Sequence, residues 1–390
     1  MNIAIISPGP FSVPPVKGSS VEHDIDEVTK MIEPIHNVTI YTRQCATYPT
    51  SSVEENRQFI RVPYQGPKPY LRRIINHIKK NKPDVILVEN RPIYVLTLKR
   101  HFPKIPIFVN MHSHVYGSQP IISKENMRRT VRLATGFITN SEFLRQHFIR
   151  TCKIPANKIH AVHLGVDVTP YQVAKIAVKK MRQELGLKPD DRVLFYAGRL
   201  MHGKGVHVLI KAFRQVSKQD PKAKLVIVGG TGYGSNRLNP YVRELKRLAK
   251  PLGEKVRFVN FVPSAKMPLY YQIGDVVATP SVWKEAFCRV NLEAMASGKP
   301  VISTPRGGIR EVVAHEKSGF IIPPKDWKKG LPAVWELLWS SPAVRNEMGK
   351  QALQRAKFFS WYATAQGYLN VFETVVPTRS EEKQPLLKTG

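Results

Sequence analysis

Short apolar runs alternate with stretches of helical spacing along most of the chain. Asn2 to Ile6, Val38 to Thr42, Val85 to Val88, Ile107 to Asn110 and Gly136 to Thr139 are nearly continuous in apolar residues. That is the pattern of strands buried on both faces of a parallel sheet. Between them, Val21 to Ile32, Tyr70 to Lys80 and Glu142 to Ile149 carry apolar residues at helical spacing. Ile159 to Leu164 predicts one more strand, and the turn-rich stretch from Gly165 to Tyr171 reads as a crossing into a second domain. A second series follows, with strands at Val193 to Tyr196, Lys224 to Val228, Val256 to Phe258, Val276 to Thr279, Pro300 to Ser303 and Phe320 to Ile322. Its helices include Val206 to Val216, Asn239 to Leu252 and Leu292 to Ser297. The fold class predicted is α/β, two Rossmann-like doubly wound domains facing a central cleft. The expected units are 1–168, 169–358, a C-terminal helix at 359–376 and a polar, disordered tail at 377–390.

Composition narrows the partners. A chain of 390 residues, 42% of them hydrophobic, is too long for one compact core and has material for two. No apolar run approaches the roughly 20 residues that span a bilayer. The N-terminus has the pattern of a strand and not of a signal peptide, so a cytoplasmic protein is expected. The three cysteines, Cys45, Cys152 and Cys288, lack metal-ligand spacing and read as reduced thiols. Lys and Arg number 60 against 29 Asp and Glu, a net charge of +31 that draws in nucleotides, anionic polymers, acidic lipid or nucleic acid. Zinc-finger spacing, RNP-type strands and a low-complexity basic tail are all missing, which disfavours specific nucleic-acid recognition.

Candidate chemistry gathers in loops after predicted strands. Glu285 and Glu293 lie eight residues apart, one in a loop entering a helix and the other two turns inside it. Both can point toward one ligand bound at that helix N-terminus, where pyrophosphate and polyol would meet. Gly198 through Lys204 match G-x-x-x-x-G-K, but Gly205 stands where a P-loop NTPase needs a hydroxyl for Mg²⁺. Arg199 and Lys204 around those glycines still form a diphosphate clamp that works without a metal. Gly229 to Gly234, including Gly230, allow close backbone approach to a ligand without spelling a dinucleotide fingerprint, and a flexible turn explains them equally well. The turn from Thr304 to Glu311 and the turn holding Gly18 offer backbone N–H groups to an anion or sugar hydroxyl. His112 ends a predicted strand and is assigned a functional role; without a third ligand cluster beside His112 and His114, no metal is expected. Asp24-Ile25-Asp26 reads as a charged helical face, since residues two apart on a helix point away from each other.

These residues carry a family resemblance. Glu285-x₇-Glu293 followed by Ala-Met-Ala-x-Gly-x-Pro-Val-Ile, the Gly-Arg-Leu…Lys-Gly loop, the Arg-Gly-Gly-Ile-x-Glu turn and Gly165-Val166-Asp167 resemble the family 4 retaining glycosyltransferases of the GT-B fold. The likeness covers nearly the whole chain. Ser281-Val-Trp-Lys-Glu285, Asn90-Arg91-Pro92 and Asn239-Pro-Tyr-Val are similar to the spore-coat-associated glycosyltransferases of spore-forming bacteria.

The resemblance implies a donor of the UDP-, GDP- or ADP-sugar type, no cofactor, and Arg199 and Lys204 on its diphosphate. It implies Glu293 on the ribose, Glu285 with Ala286 and Phe287 at the transferred sugar, and His112 reaching that sugar from the N-domain. The base would pack near Phe261 and Val262, and the last helix, around Trp361, would return to the N-domain, which holds the acceptor. Retention implies front-face attack, with the leaving phosphate taking the acceptor proton. An anionic or lipid-linked acceptor and peripheral association with a membrane or spore coat fit the basic surface. Two departures stand out: Lys17-Gly18-Ser19 where the family pairs glycines, and Phe287-Cys288 where it has Phe-Gly. A coat protein that keeps the fold without turnover is the competing reading.

Overall fold

The computed structural model describes residues 1–376 apart from 17 and 233, and the tail expected at 377–390 lies outside the described residues. The first sheet has eight strands: β1 (Asn2–Ile6), β2 (Asn37–Arg43), β3 (Ser51–Glu54), β4 (Arg57–Val62), β5 (Val85–Glu89), β6 (Ile107–Met111), β7 (Gly136–Thr139) and β8 (Ile159–Ala161). Their order is β3-β4-β2-β1-β5-β6-β7-β8, all parallel except the β3–β4 pair. The second sheet has six parallel strands: β9 (Arg192–Ala197), β10 (Ala223–Val228), β11 (Val256–Val259), β12 (Val276–Thr279), β13 (Val301–Ser303) and β14 (Gly319–Ile321). Their order is β11-β10-β9-β12-β13-β14. The continuous apolar runs become central strands covered by helices on both faces, as parallel pairing demands.

The β3–β4 hairpin is the main element that periodicity does not announce. Arg57 and Arg61 punctuate β4, yet both are buried, at 5% and 3% exposure. Arg57 is neutralised by Asp26, Glu33 and Glu54 at 2.7 to 3.0 Å, and Arg61 lies over the Phe59 and Tyr48 rings. Paired arginines thus occupy positions that an apolar pattern would have filled.

Strand order decides where a ligand goes. In the second sheet the order turns at β9 and β12, so the crevice opens between the loops that leave those two strands. In the first sheet the same reversal falls at β1 and β5. The loop ends of the two sheets meet: Ser141, after β7, donates to the Ala286 carbonyl at 2.6 Å. Glu311 accepts the backbone N–H groups of Glu142 and Phe143, both at 2.8 Å, and so caps an N-domain helix (Glu142–Cys152) from the other domain.

The chain crosses between domains twice, and the crossings pack on each other. Val166 N–H donates to the Phe359 carbonyl at 2.7 Å, and Thr364 donates to that of His163 at 2.9 Å. A Cβ on Gly165 would lie 2.3 Å from the Trp361 nitrogen, so only glycine fits there. The helix Trp361–Glu373 then docks on the first domain, where Tyr368 accepts from Asn110 at 2.6 Å and Phe372 packs on Phe108.

Candidate active site

Lys204 and Glu285 come from the two loops at the β9/β12 reversal, and there they meet. Lys204 Nζ is 2.7 Å from Glu285 Oε1, which also accepts from Ser281 Oγ and Trp283 Nε1, each at 2.6 Å. The ammonium also stands 5.6 Å from the centre of the Trp283 ring. Burial opposes the charge on Glu285, but the charge and hydrogen bond of Lys204, with the bonds from Ser281 and Trp283, hold its pKa below the ordinary value. Burial also works against the Lys204 ammonium, and the charge of Glu285 outweighs it and raises the pKa. Both groups are therefore ionised at neutral pH.

Glycines let these loops come so close. Gly205 has φ +71°, and a Cβ there would fall 1.9 Å from the Pro280 carbonyl oxygen, so any other residue would push the Lys204 loop off the Glu285 loop. Gly307 bridges to Glu285, and Gly308 N–H donates to the Glu285 carbonyl at 3.0 Å. The Arg-Gly-Gly turn therefore spends one of its amides holding the Glu285 backbone.

Glu293 lies inside the helix Arg289–Ala296 and accepts from the buried Tyr271 hydroxyl at 2.6 Å. Arg289, one turn earlier, sits 3.8 Å from its other oxygen. Arg199 is exposed at the end of β9, where its carbonyl accepts from Tyr196 at 3.1 Å. Gly230 packs against the Ser235 backbone, and Phe261 N–H donates to Asn236 Oδ1 at 2.7 Å with Val262 packed beside it. Gly18, at φ +81°, lies between β1 and the helix Ser20–Ile32. Ala286 presents its carbonyl to Ser141, while Phe287 is buried and stacked on His163, with ring centres 5.7 Å apart. Phe287 thus supports the Glu285 loop from beneath. Cys288 adopts φ +72°, ψ +70°, a left-handed conformation that glycine takes without cost, and burial pushes its thiol pKa up to about 12.

On the N-domain side His112 is deeply set. Its Nε2 is 2.8 Å from Glu89, its Nδ1 is 3.5 Å from Asp24, and its backbone N–H donates to Asn90 at 2.8 Å. Burial disfavours the imidazolium, but the hydrogen bond and charge of Glu89, joined by Asp24 and Glu22, raise the pKa above its ordinary value. His114 lies edge-on to His147, and His202 stacks on His207, so neither joins this group. Among the described residues no group of three His, Cys, Asp or Glu is placed to hold a metal ion.

The reading of Asp24 and Asp26 as a charged helical face is corrected here. Residues two apart on a helix do diverge, but both faces are covered: Asp24 is 2% exposed and Asp26 6%. Asp24 turns toward the second domain, where Arg289 meets it at 2.8 Å, and Asp26 turns toward Arg57 on β4 at 2.9 Å. Spacing alone carried no sign of Asp24, Glu89 or Arg289 at the site. The helix Ser20–Ile32 buries Glu22, Asp24 and Asp26 beside Ile25, Val28 and Ile32, which the sequence does not announce.

Two parallel-sheet α/β domains with facing strand-end loops are the architecture of the GT-B glycosyltransferases. Residues 28–169 match the family model described as Glycosyltransferase Family 4, and residues 177–355 match that of Glycosyl transferases group 1. The chain belongs to this family. It is 28% identical over 391 residues, 99% of this chain and 95% of the other, to a Bacillus subtilis (strain 168) protein provisionally named glycosyltransferase YtcC. It is 29% identical over 379 residues, 96% of this chain and 99% of the other, to spore coat protein SA of the same organism. The crystal structure of Anabaena Alr3699/HepE in complex with UDP-glucose superposes with a TM-score of 0.78 at 23% identity, covering 96% of this chain and 100% of that one.

Proposed function

We propose that the protein is a metal-independent, retaining hexosyltransferase that moves a sugar from a nucleoside-diphosphate donor to a hydroxyl acceptor. The observation that carries this reading is the buried Lys204–Glu285 pair, assembled from both loops at the crevice of the second sheet. Lys204 and Arg199 bind the donor diphosphate and neutralise the charge that grows on the departing nucleoside diphosphate. Three donors converge on Glu285 Oε1, which fixes the carboxylate so that it orients hydroxyls of the transferred sugar. Glu293, steadied by Tyr271, takes the ribose hydroxyl pair. His112 approaches the sugar from the N-domain, held by Glu89.

Breaking the anomeric C–O bond releases the nucleoside diphosphate, whose phosphate oxygen takes the acceptor proton as the acceptor oxygen bonds to the same face. The UDP-glucose complex of the structurally similar HepE supports a uridine nucleotide as donor. The name of the spore coat relative and the +31 charge favour an anionic or lipid-linked acceptor in coat or cell-surface glycan assembly. Peripheral contact with an acidic membrane or coat surface on the cytoplasmic side is part of the same reading. No helix among the described residues is long and apolar enough to cross a membrane.

Calorimetric titration with UDP-, GDP- and ADP-glucose in EDTA, followed by a donor-hydrolysis assay, tests the proposal. Binding of one donor in EDTA with slow release of an α-configured sugar is expected. Binding without release would favour a coat protein that keeps the fold, and no binding of any donor would remove the enzyme reading.

A further inference from the structure

Five ionisable side chains form an unbroken chain through the domain interface. Glu89 meets His112 at 2.8 Å, His112 meets Asp24 at 3.5 Å, Asp24 meets Arg289 at 2.8 Å, and Arg289 meets Glu293 at 3.8 Å. The first three come from the N-domain and the last two from the helix that carries the ribose carboxylate. Side-chain exposure is 2% for Glu89, 7% for His112, 3% for Asp24 and 18% for Arg289. The guanidinium also lies 5.5 Å from the centre of the Trp361 ring, on the segment that returns to the N-domain. It is thus clamped by both domains and by the crossover.

We propose that Arg289 is a positioning residue: held by Asp24 across the cleft, it sets Glu293 on one side and, through Asp24, His112 on the other, so that both are placed only when the domains are closed. This deepens the transferase reading and rests on it. A buried pair of this kind adds little net stability but strongly penalises arrangements that leave one partner alone. Opening the cleft by a few ångströms would leave Asp24 with His112 but without the guanidinium, among carboxylates. Glu22 and Glu27 share its helix, Glu89 faces it from β5, Glu293 from the second domain and Tyr368 from the last helix, while on its own helix Lys30 is a cation and His23, its pKa pushed down to about 3 by burial, is a neutral base. Burial, opposed by Arg289 and His112 and reinforced by Glu89 and Glu293, already lifts the Asp24 pKa to about 6. Removing Arg289 takes away the main opposing charge. A guanidinium suits the place because its planar fork serves two carboxylates at once, whereas an ammonium is a single point charge.

The test is a set of variants assayed with UDP-glucose as probe. Arg289→Gln is expected to lower kcat for donor hydrolysis about tenfold or more, with KM changed less than about threefold, because placement suffers more than ground-state binding. Adding Asp24→Asn to Arg289→Gln neutralises the stranded carboxylate and is expected to recover part of the lost rate. Lowering the pH toward 5 is expected to help Arg289→Gln relative to wild type for the same reason, and Arg289→Lys should fall between the two. Wild-type rates in Arg289→Gln, or a double variant slower than Arg289→Gln by the full loss seen in Asp24→Asn alone, would overturn the proposal. Small-angle scattering of the ligand-free proteins gives a readout that needs no donor. A larger radius of gyration for Arg289→Gln supports the clamp, and an unchanged one counts against it. Wild type that binds no UDP-glucose would remove the transferase reading and leave the scattering result to decide the clamp alone.

Discussion

Two buried ion pairs flank the site, and they behave in opposite ways. Lys204 and Glu285 belong to one domain, on loops locked together by Gly205 and Gly307. Asp24 and Arg289 belong to different domains and meet only across the cleft. In the first pair, bonds from Ser281 and Trp283 help Lys204 overcome the cost of burial, and the Glu285 pKa falls. In the second, burial prevails over Arg289, and the Asp24 pKa rises to about 6. A pair with two supporting donors is a standing part of the machinery, whereas a pair with little support is a register mark that holds in one arrangement of the domains.

The sharpest break in this contrast is Lys204→Ala. It leaves Glu285 buried beside Ser281 and Trp283 with no cation, and should cost about 3 kcal/mol of stability. Donor hydrolysis should fall by about a hundredfold or more. Calorimetry should show UDP affinity dropping far more than uridine affinity, and equal losses would contradict the diphosphate role.

The pH dependence of stability separates the pairs next. Glu285, with its pKa lowered below 4.5, contributes stability that is present above that value and lost as the pH falls through its folded pKa. Asp24, raised from 3.8 to about 6, has the reverse sign. Between about pH 4 and 6 the folded protein keeps a proton that the unfolded chain has released, so this group makes stability fall as pH rises through that window. The advantage of wild type over Asp24→Asn in thermal midpoint should therefore narrow as pH rises from 4 to above 6. Parallel curves would mean that Asp24 does not titrate in the fold.

Smaller effects bear on how the interface is held. Glu311→Ala strips the cap from the helix Glu142–Cys152 and the partner of His163, which is 2.8 Å away. It should lower stability by about 1 to 2 kcal/mol, read as an earlier thermal midpoint. Cys288→Gly removes a left-handed non-glycine residue and should raise stability by about 1 kcal/mol, with donor binding unchanged if the thiol only packs.

Much of this architecture can be read in advance. The fold class follows from apolar runs such as Val85 to Val88 and Val276 to Thr279, because strands sandwiched between helices have little freedom to be polar. Lys204 and Glu285 stand out in the sequence because loops after strands concentrate glycine and charge, and Glu293 because it lies eight residues beyond Glu285. The rest was hidden by pairing over long sequence distance. Arg57 and Arg61 look like solvent-facing residues until Asp26 and Phe59 are brought beside them. Asp24 and Arg289 are separated by 265 positions and carry opposite charges, so neither looks buried until the two domains close on them.

The helix Trp361–Glu373 has a consequence for how the protein is made. Its Tyr368 and Phe372 complete the packing around Asn110 and Phe108, deep in the first domain. Synthesis proceeds from the N-terminus, and domains ordinarily fold in that order as they leave the ribosome. Here the first domain to emerge is the last to be finished. It must wait, with one flank of its sheet uncovered, until the second domain has been translated.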